Sequence, residues 1–195
     1  MALLVLAISL ATGLLAQTPA TARNAGSDTD CMISLSAITQ SVPRFSDYPA
    51  RVEKIAKPAA VDLRSDPEAR TFRTMLRDGA RNGPNFAGHF TIVGWGCGSS
   101  CLQWAVVDAR SGKVSLDRSI QVVSAVYVAD EQAKLPGVDY DYNALRFRRD
   151  SALVAILGAP HEDEAREGVA FYRWNGKIFQ FLKFVPRAEA CRNER

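Results

Sequence analysis

Side chains able to do chemistry are concentrated in one stretch, Asn85 to Asp108, which carries His89, Cys97, Cys101 and Asp108. The same stretch holds Trp95, Trp104 and four glycines, Gly88, Gly94, Gly96 and Gly98. Three chemistries are open to such a set: a cysteine nucleophile with a histidine base, a metal held by histidine and cysteines, and acid–base work by His89 with Asp108. A fourth use is recognition, by a glycine-rich loop that a disulfide pins between two tryptophans.

The thiol reading is weak on its own terms. Cys97-Gly98-Ser99-Ser100-Cys101-Leu102 is superficially similar to the Cys-Gly-Ser-Cys-aromatic signature of papain-like proteases. It has an extra serine, and Leu102 stands where the aromatic belongs. The residues after Cys101 read as a strand, so the helix N-terminus that helps lower the thiol pKa is missing. His161 would have to act as base from a charged loop. A metal site at His89, Cys97 and Cys101 lacks a Cys-x-x-Cys pair and a local fourth ligand. Glu162, Asp163, Glu164 and Glu167, like Asp139 and Asp141, are carboxylates in polar loops, where solvation is explanation enough. No nucleophile elbow, phosphate loop or calcium loop is present. For His89 itself the plain structural explanation is a ring hydrogen-bonded to backbone beside a glycine turn.

The elements that must position these residues follow from patterning. Ser65 with Glu68 fits a capping box, and Phe72, Met75, Leu76 and Ala80 recur at helical spacing, which predicts a helix from Pro67 to Arg81. Arg70, Arg73, Arg77 and Arg81 share one of its faces, either an anion-docking ridge or a solvated flank. From His89 on, the chain is strand-like: His89–Trp95, Leu102–Ala109, Val114–Leu116 and Gln121–Ala129. A polar connection, Asp130 to Asn143, follows. Ala144–Phe147 and Leu153–Leu157 flank a turn at Arg148–Ser151. Val169–Trp174 and Lys177–Val185 flank Asn175-Gly176, the signature of a type I′ hairpin. Before the helix, Cys31 to Pro58 is irregular and proline-punctuated, with Phe45 and Tyr48 as anchors and at most a short strand at Val52–Ile55. The expected fold is α+β: one domain of seven or eight mostly antiparallel strands in meander order with one amphipathic helix.

The N-terminus bears on where such a domain works. Leu3 to Leu15 is apolar, and Ala20-Thr21-Ala22 is a small-x-small site, which together read as a secretory signal peptide over residues 1–22. Residues 23–30 read as a flexible leader, and residues 31–195 as the domain. No later run is long enough to span a bilayer, so membrane spanning is not expected after cleavage. Export fits the four cysteines, an even number that suggests two disulfides. Four cysteines allow three connectivities. Cys97–Cys101, with three small residues between its members, and Cys31–Cys191, tying the ends, are the expected pair. The net charge of +3 is too mild to mark nucleic acid as a partner.

Pro84-Asn85-Phe86-Ala87-Gly88-His89-Phe90, Trp95-Gly96-Cys97-Gly98-Ser99-Ser100-Cys101 and Val107-Asp108-Ala109-Arg110-Ser111-Gly112-Lys113-Val114 together resemble a family of uncharacterised bacterial exported proteins. Its pattern is Asn-Phe-Ala-Gly-His-aromatic, then Trp-Gly-Cys-Gly-x-x-Cys, then Asp-Ala-x-x-Gly-Lys-Val. Phe147-Arg148-Arg149-Asp150-Ser151 and Tyr172-Arg173-Trp174-Asn175-Gly176 fit it too. The resemblance implies export and supplies no activity and no catalytic residues.

The expectation is a periplasmic or secreted, non-enzymatic binding module. It would present Trp95, Gly96, Gly98, Ser99, Ser100 and Trp104 to a protein or glycan of the cell envelope, with no cofactor and no metal. The alternatives are a hydrolase of envelope material using His89 with Asp108, and a structural envelope protein.

Overall fold

The computed structural model describes residues 31–129 and 144–193. The expected signal peptide, the expected leader and the Asp130–Asn143 connection lie outside the described residues. Among the described residues, ten strands and one α-helix follow in chain order: β1 (Cys31–Ile33), α1 (Arg73–Ala80), β2 (Phe90–Gly98), β3 (Cys101–Asp108), β4 (Val114–Ser115), β5 (Val122–Ser124), β6 (Leu145–Phe147), β7 (Leu153–Pro160), β8 (Gly168–Trp174), β9 (Phe179–Pro186) and β10 (Cys191–Asn193). Eight of these strands form one antiparallel sheet in the order β2-β3-β5-β7-β8-β9, with β4 also on β3 and β6 also on β7. This is the expected α+β meander. β1 and β10 form a separate two-stranded pair that patterning did not anticipate.

Period-2 alternation sends successive side chains to opposite faces, and here both faces are covered. On one face Phe90, Ile92, Trp104, Val106, Val154, Ile156, Tyr172 and Trp174 share a core. On the other, Leu153, Ala155, Leu157, Val169 and Phe171 pack beneath Ile33, Phe45 and Tyr48 of the N-terminal segment. At the β2–β3 end of that face, Val93, Trp95, Ala105 and Val107 pack beneath Leu76 and Ala80 of α1. All of β7 is therefore buried, and its sequence reads as a nearly unbroken apolar run. The sheet coils so strongly that its ends meet over the first core. Phe90 of β2 lies 5.4 Å from Trp174 at the end of β8, and Trp104 of β3 lies 5.2 Å from Phe179 of β9. Right-handed strand twist accumulated over the sheet produces that closure.

The helix is shorter than its pattern predicts, and residues 67–72 form turns instead. The proposed cap is used elsewhere. Ser65 Oγ accepts the Val114 N–H of β4 at 2.8 Å; Asp66 Oδ2 accepts the Leu116 N–H just past β4 at 3.2 Å, while its Oδ1 accepts the Glu68 N–H at 2.9 Å in the turn. Glu68 pairs with Arg118 at 2.9 Å. Leu76 and Ala80 are buried as expected, but Met75 is exposed. Gly79 lets α1 approach closely, since a Cβ there would stand 2.4 Å from Val93 Cγ1. The Gln121–Ala129 strand is reduced to β5, because the chain turns back where the Val128 N–H bonds the Ala125 carbonyl. Val52–Ile55 forms no strand.

The hairpin at Asn175-Gly176 is present, with Trp174 opposite Phe179. Its loop is longer than a type I′ turn: Asn175 Oδ1 accepts the N–H groups of Lys177 and Ile178, and of its residues only Gly176 has positive φ. Both expected disulfides are formed, Cys31–Cys191 and Cys97–Cys101, with Cα separations of 5.5 and 5.2 Å. The first fastens β1 to β10, the second closes the β2–β3 hairpin. Among the described residues no helix is long and apolar enough to cross a membrane.

Candidate functional site

The approach to β2 is a tight crossing of three segments. Ala87 and Gly88 both have positive φ, 41° and 87°. Their N–H groups donate to the carbonyls of Arg148 and Arg149, and the Glu53 N–H donates to the Gly88 carbonyl. A Cβ on residue 88 would meet the Arg51 carbonyl oxygen at 2.3 Å, so glycine is required for the segments to cross. Asn85 completes the corner. Its amide donates to the Ile92 carbonyl at 3.0 Å and accepts the Ile92 N–H at 2.8 Å. That pairing gives the outer edge of β2 the hydrogen bonds a neighbouring strand would otherwise make.

The crossing delivers His89 to a group of charges. Its ring lies 4.1 Å from that of Phe90. Nδ1 is 3.3 Å from Glu53 Oε1 and Nε2 is 3.8 Å from Asp108 Oδ1. Asp108 is there because β2–β3 register sets it opposite Phe90. Both carboxylates have other partners. Asp108 accepts the Arg110 N–H at 2.8 Å and the Ser111 hydroxyl at 2.7 Å. Glu53 receives two nitrogens of the Arg110 guanidinium. That hydrogen-bonded guanidinium holds the Glu53 carboxyl below its ordinary range against the opposing effect of burial, and its charge, His89 and Arg51 add to the effect. Glu53 in turn raises the Arg110 pKa.

Sequence reasoning paired His89 with Asp108 and missed Glu53, which sits in an irregular segment far upstream with no motif to mark it. The cluster fastens residues 51–53 over the β3–β4 turn. As chemistry, it is an imidazole bracketed by two carboxylates, each already accepting bonds from the turn.

The Gly/Trp/Cys corner departs from expectation. Trp95 and Trp104 are 3% and 2% exposed. Trp95 packs 4.8 Å from Phe72 and donates to Gln103 Oε1 at 3.2 Å. Trp104 donates to the Ile120 carbonyl at 2.8 Å. Neither presents aromatic surface, because each ring completes the core on its own side of the sheet. What the hairpin tip exposes is Gly96, Cys97, Gly98 and Ser99, with Ser100 half-buried. Cys97 and Cys101 are bonded to each other, so neither is available as thiolate nucleophile or metal ligand. His161 lies on the exposed turn after β7.

The more suggestive surface is beside Asp108. A cleft of about 490 Å³ opens between the β3–β4 and β8–β9 turns, its lining including Asp66, Phe90, Asp108, Lys113, Trp174 and Lys177. Trp174 is 4% exposed, and its ring is held by Phe90 and by Phe179 at 4.6 Å. Its indole N–H is buried and has no hydrogen-bond partner among the described residues, whereas the indoles of Trp95 and Trp104 are both satisfied. An orphaned donor of this kind costs about 1–3 kcal/mol. Lys113 and Lys177 make no ion pair among the described residues. Neither Trp174 nor either lysine was among the expected site residues.

Comparison of the chain with protein-family models, with curated proteins and with solved structures found no match.

Proposed function

We propose that the chain is an exported, disulfide-stapled binding module that takes a carbohydrate segment of the bacterial envelope in the cleft at Trp174. Export is supported by the apolar N-terminus with its small-x-small site, by two disulfides, and by the resemblance to exported bacterial proteins. Binding rests on one observation above all: a buried indole N–H without a partner among the described residues, on a tryptophan that lines a cleft together with Phe90 and with two ammonium groups that make no ion pair there. A sugar ring has apolar C–H faces and a rim of hydroxyls, so it suits aromatic edges flanked by donors and acceptors. The cleft falls in the size range of small-ligand sites, roughly 300–1,000 Å³.

The test is titration with the N-acetylglucosaminyl–N-acetylmuramic acid disaccharide, followed by calorimetry and tryptophan fluorescence. Trp174→Phe keeps a ring and removes the N–H. The expected result is unchanged or slightly increased stability with binding weakened about two- to tenfold, the worth of one hydrogen bond. Saturable binding that is identical in the variant removes the N–H from the site. Absence of binding by the wild-type protein removes the glycan.

A second reading is hydrolysis of envelope material by His89, favoured by its place between Glu53 and Asp108. It predicts bond cleavage in the same disaccharide or its cross-linked polymer, abolished in His89→Asn. The binding reading is preferred because both carboxylates are already engaged by Arg110 and Ser111.

A further inference from the structure

On a different surface, sharing no lining residue with the Trp174 cleft, a second cleft of about 460 Å³ lies between the end of α1 and the segment before it. Its lining includes Pro58, Val61 and Ala80, with Lys57, Arg77 and Arg81 beside them. Ala80 is buried, Pro58 and Val61 are half-buried, and the three cations are exposed. The cleft thus has an apolar floor and a cationic rim.

Both walls are held from behind. The Ala59 N–H bonds the Ala109 carbonyl and the Asp62 N–H bonds the Gly112 carbonyl, each at 2.8 Å, which pins the segment to the β3–β4 turn. Gly112 has positive φ, and a Cβ there would stand 1.9 Å from the Ala60 carbonyl oxygen, so this contact is tight. The helix wall is fixed by burial of Leu76 and Ala80.

Charge is poorly balanced here. Asp78 pairs with Arg81 at 3.0 Å. Lys57 and Arg77 have no carboxylate partner among the described residues, nor do Arg73 at the start of α1 and Arg70, which lies in the turn before it and so off the helical face expected for it. Three cations in the lining of a cleft with an apolar floor complement an anion that carries an apolar group. Guanidinium forks match phosphate oxygens in pairs, and an ammonium adds a point charge. We infer that this cleft binds a phosphate monoester bearing a compact apolar group, with Lys57, Arg77 and Arg81 on the phosphate and Pro58, Val61 and Ala80 against the apolar part. Arg70 and Arg73 raise the local anion concentration without touching the ligand.

The experiment uses the full oxidised protein, with phenyl phosphate as probe and inorganic phosphate and phenol as the separated halves. Binding is read by calorimetry and by amide chemical shifts of residues 57–61 and 77–81. Phenyl phosphate should bind more tightly than either half, and more weakly as salt rises. Arg77→Ala with Arg81→Ala should weaken it about tenfold or more, the range for charge-assisted bonds. Arg73→Ala should change it less than about twofold. All these positions are exposed, so melting curves should be unchanged within about 0.5 kcal/mol. The inference is overturned if phenyl phosphate fails to bind, if the double variant binds it equally well, or if either half binds as tightly as the whole.

Discussion

Removing the two disulfides one at a time should separate their contributions by loop length. In the chain-entropy account, a cross-link restricts the unfolded chain by an amount that grows with the logarithm of the loop it closes. Cys31 and Cys191 are separated by 160 residues, Cys97 and Cys101 by 4. Those loops correspond to stabilisations of about 5 and about 2 kcal/mol. Replacement of both members of each pair by alanine should therefore leave C97A/C101A about 3 kcal/mol more stable than C31A/C191A. Guanidinium unfolding followed by circular dichroism, without reductant, gives both values. Freeing the long loop lets the unfolded chain expand, so the denaturant slope should rise in C31A/C191A and hardly change in C97A/C101A. Equal losses, or a larger loss from the short loop, would refute the reasoning. Stability would then reside in local strain or packing at the hairpin tip.

Gly88→Ala should cost about 3 kcal/mol or more, because the new methyl meets the Arg51 carbonyl at a residue that needs positive φ; thermal unfolding measures it, and a near-wild-type melt would contradict the crossing. Asn85→Ala should cost about 1–3 kcal/mol by leaving the Ile92 N–H and carbonyl without their side-chain partner, with faster hydrogen exchange at Ile92 as the local sign. Glu53 has a lowered carboxyl pKa, so its contribution is present above the ordinary value of about 4.3 and lost as pH falls through the folded value. Stability curves of Glu53→Gln and wild type should converge below that range, and parallel curves would show that Arg110 contributes nothing there.

Much of the fold was legible because it rests on local pattern. The alternation in β8 and β9 and the apolar run of β7 marked their strands, and Asn175-Gly176 marked the last hairpin. The spacing of the cysteines suggested both bridges. The errors share a physical cause, which is competition from distant partners. Ser65 suits a helix start by type, but β4 supplies the Val114 amide that takes its side chain. Trp95 and Trp104 looked presentable beside glycines, yet the coiling of the sheet closes cores over both. Glu53 carries no pattern at all and reaches His89 only because Gly88 lets residues 51–53 pass close by. Likewise the Trp174 cleft exists only because the first and last strands of the sheet are brought together. No window of sequence contains that information.

The Asn85 amide has a consequence for assembly. A sheet has two edges, and copies that add at both can propagate head to tail without limit. Here β9 is one edge, with Phe181 exposed at 61% and Ile178, just before the strand, at 53%. At the other edge, Phe90 bonds to Phe86 and Ile92 is taken by Asn85, after which β2 runs through Gly94 to its bulge between Gly96 and Gly98. A side chain thus stands where a neighbouring chain would dock. Pairing of folded copies through β2 is obstructed at Ile92, whereas pairing of β9 with a second β9 would be a symmetric contact that closes at two.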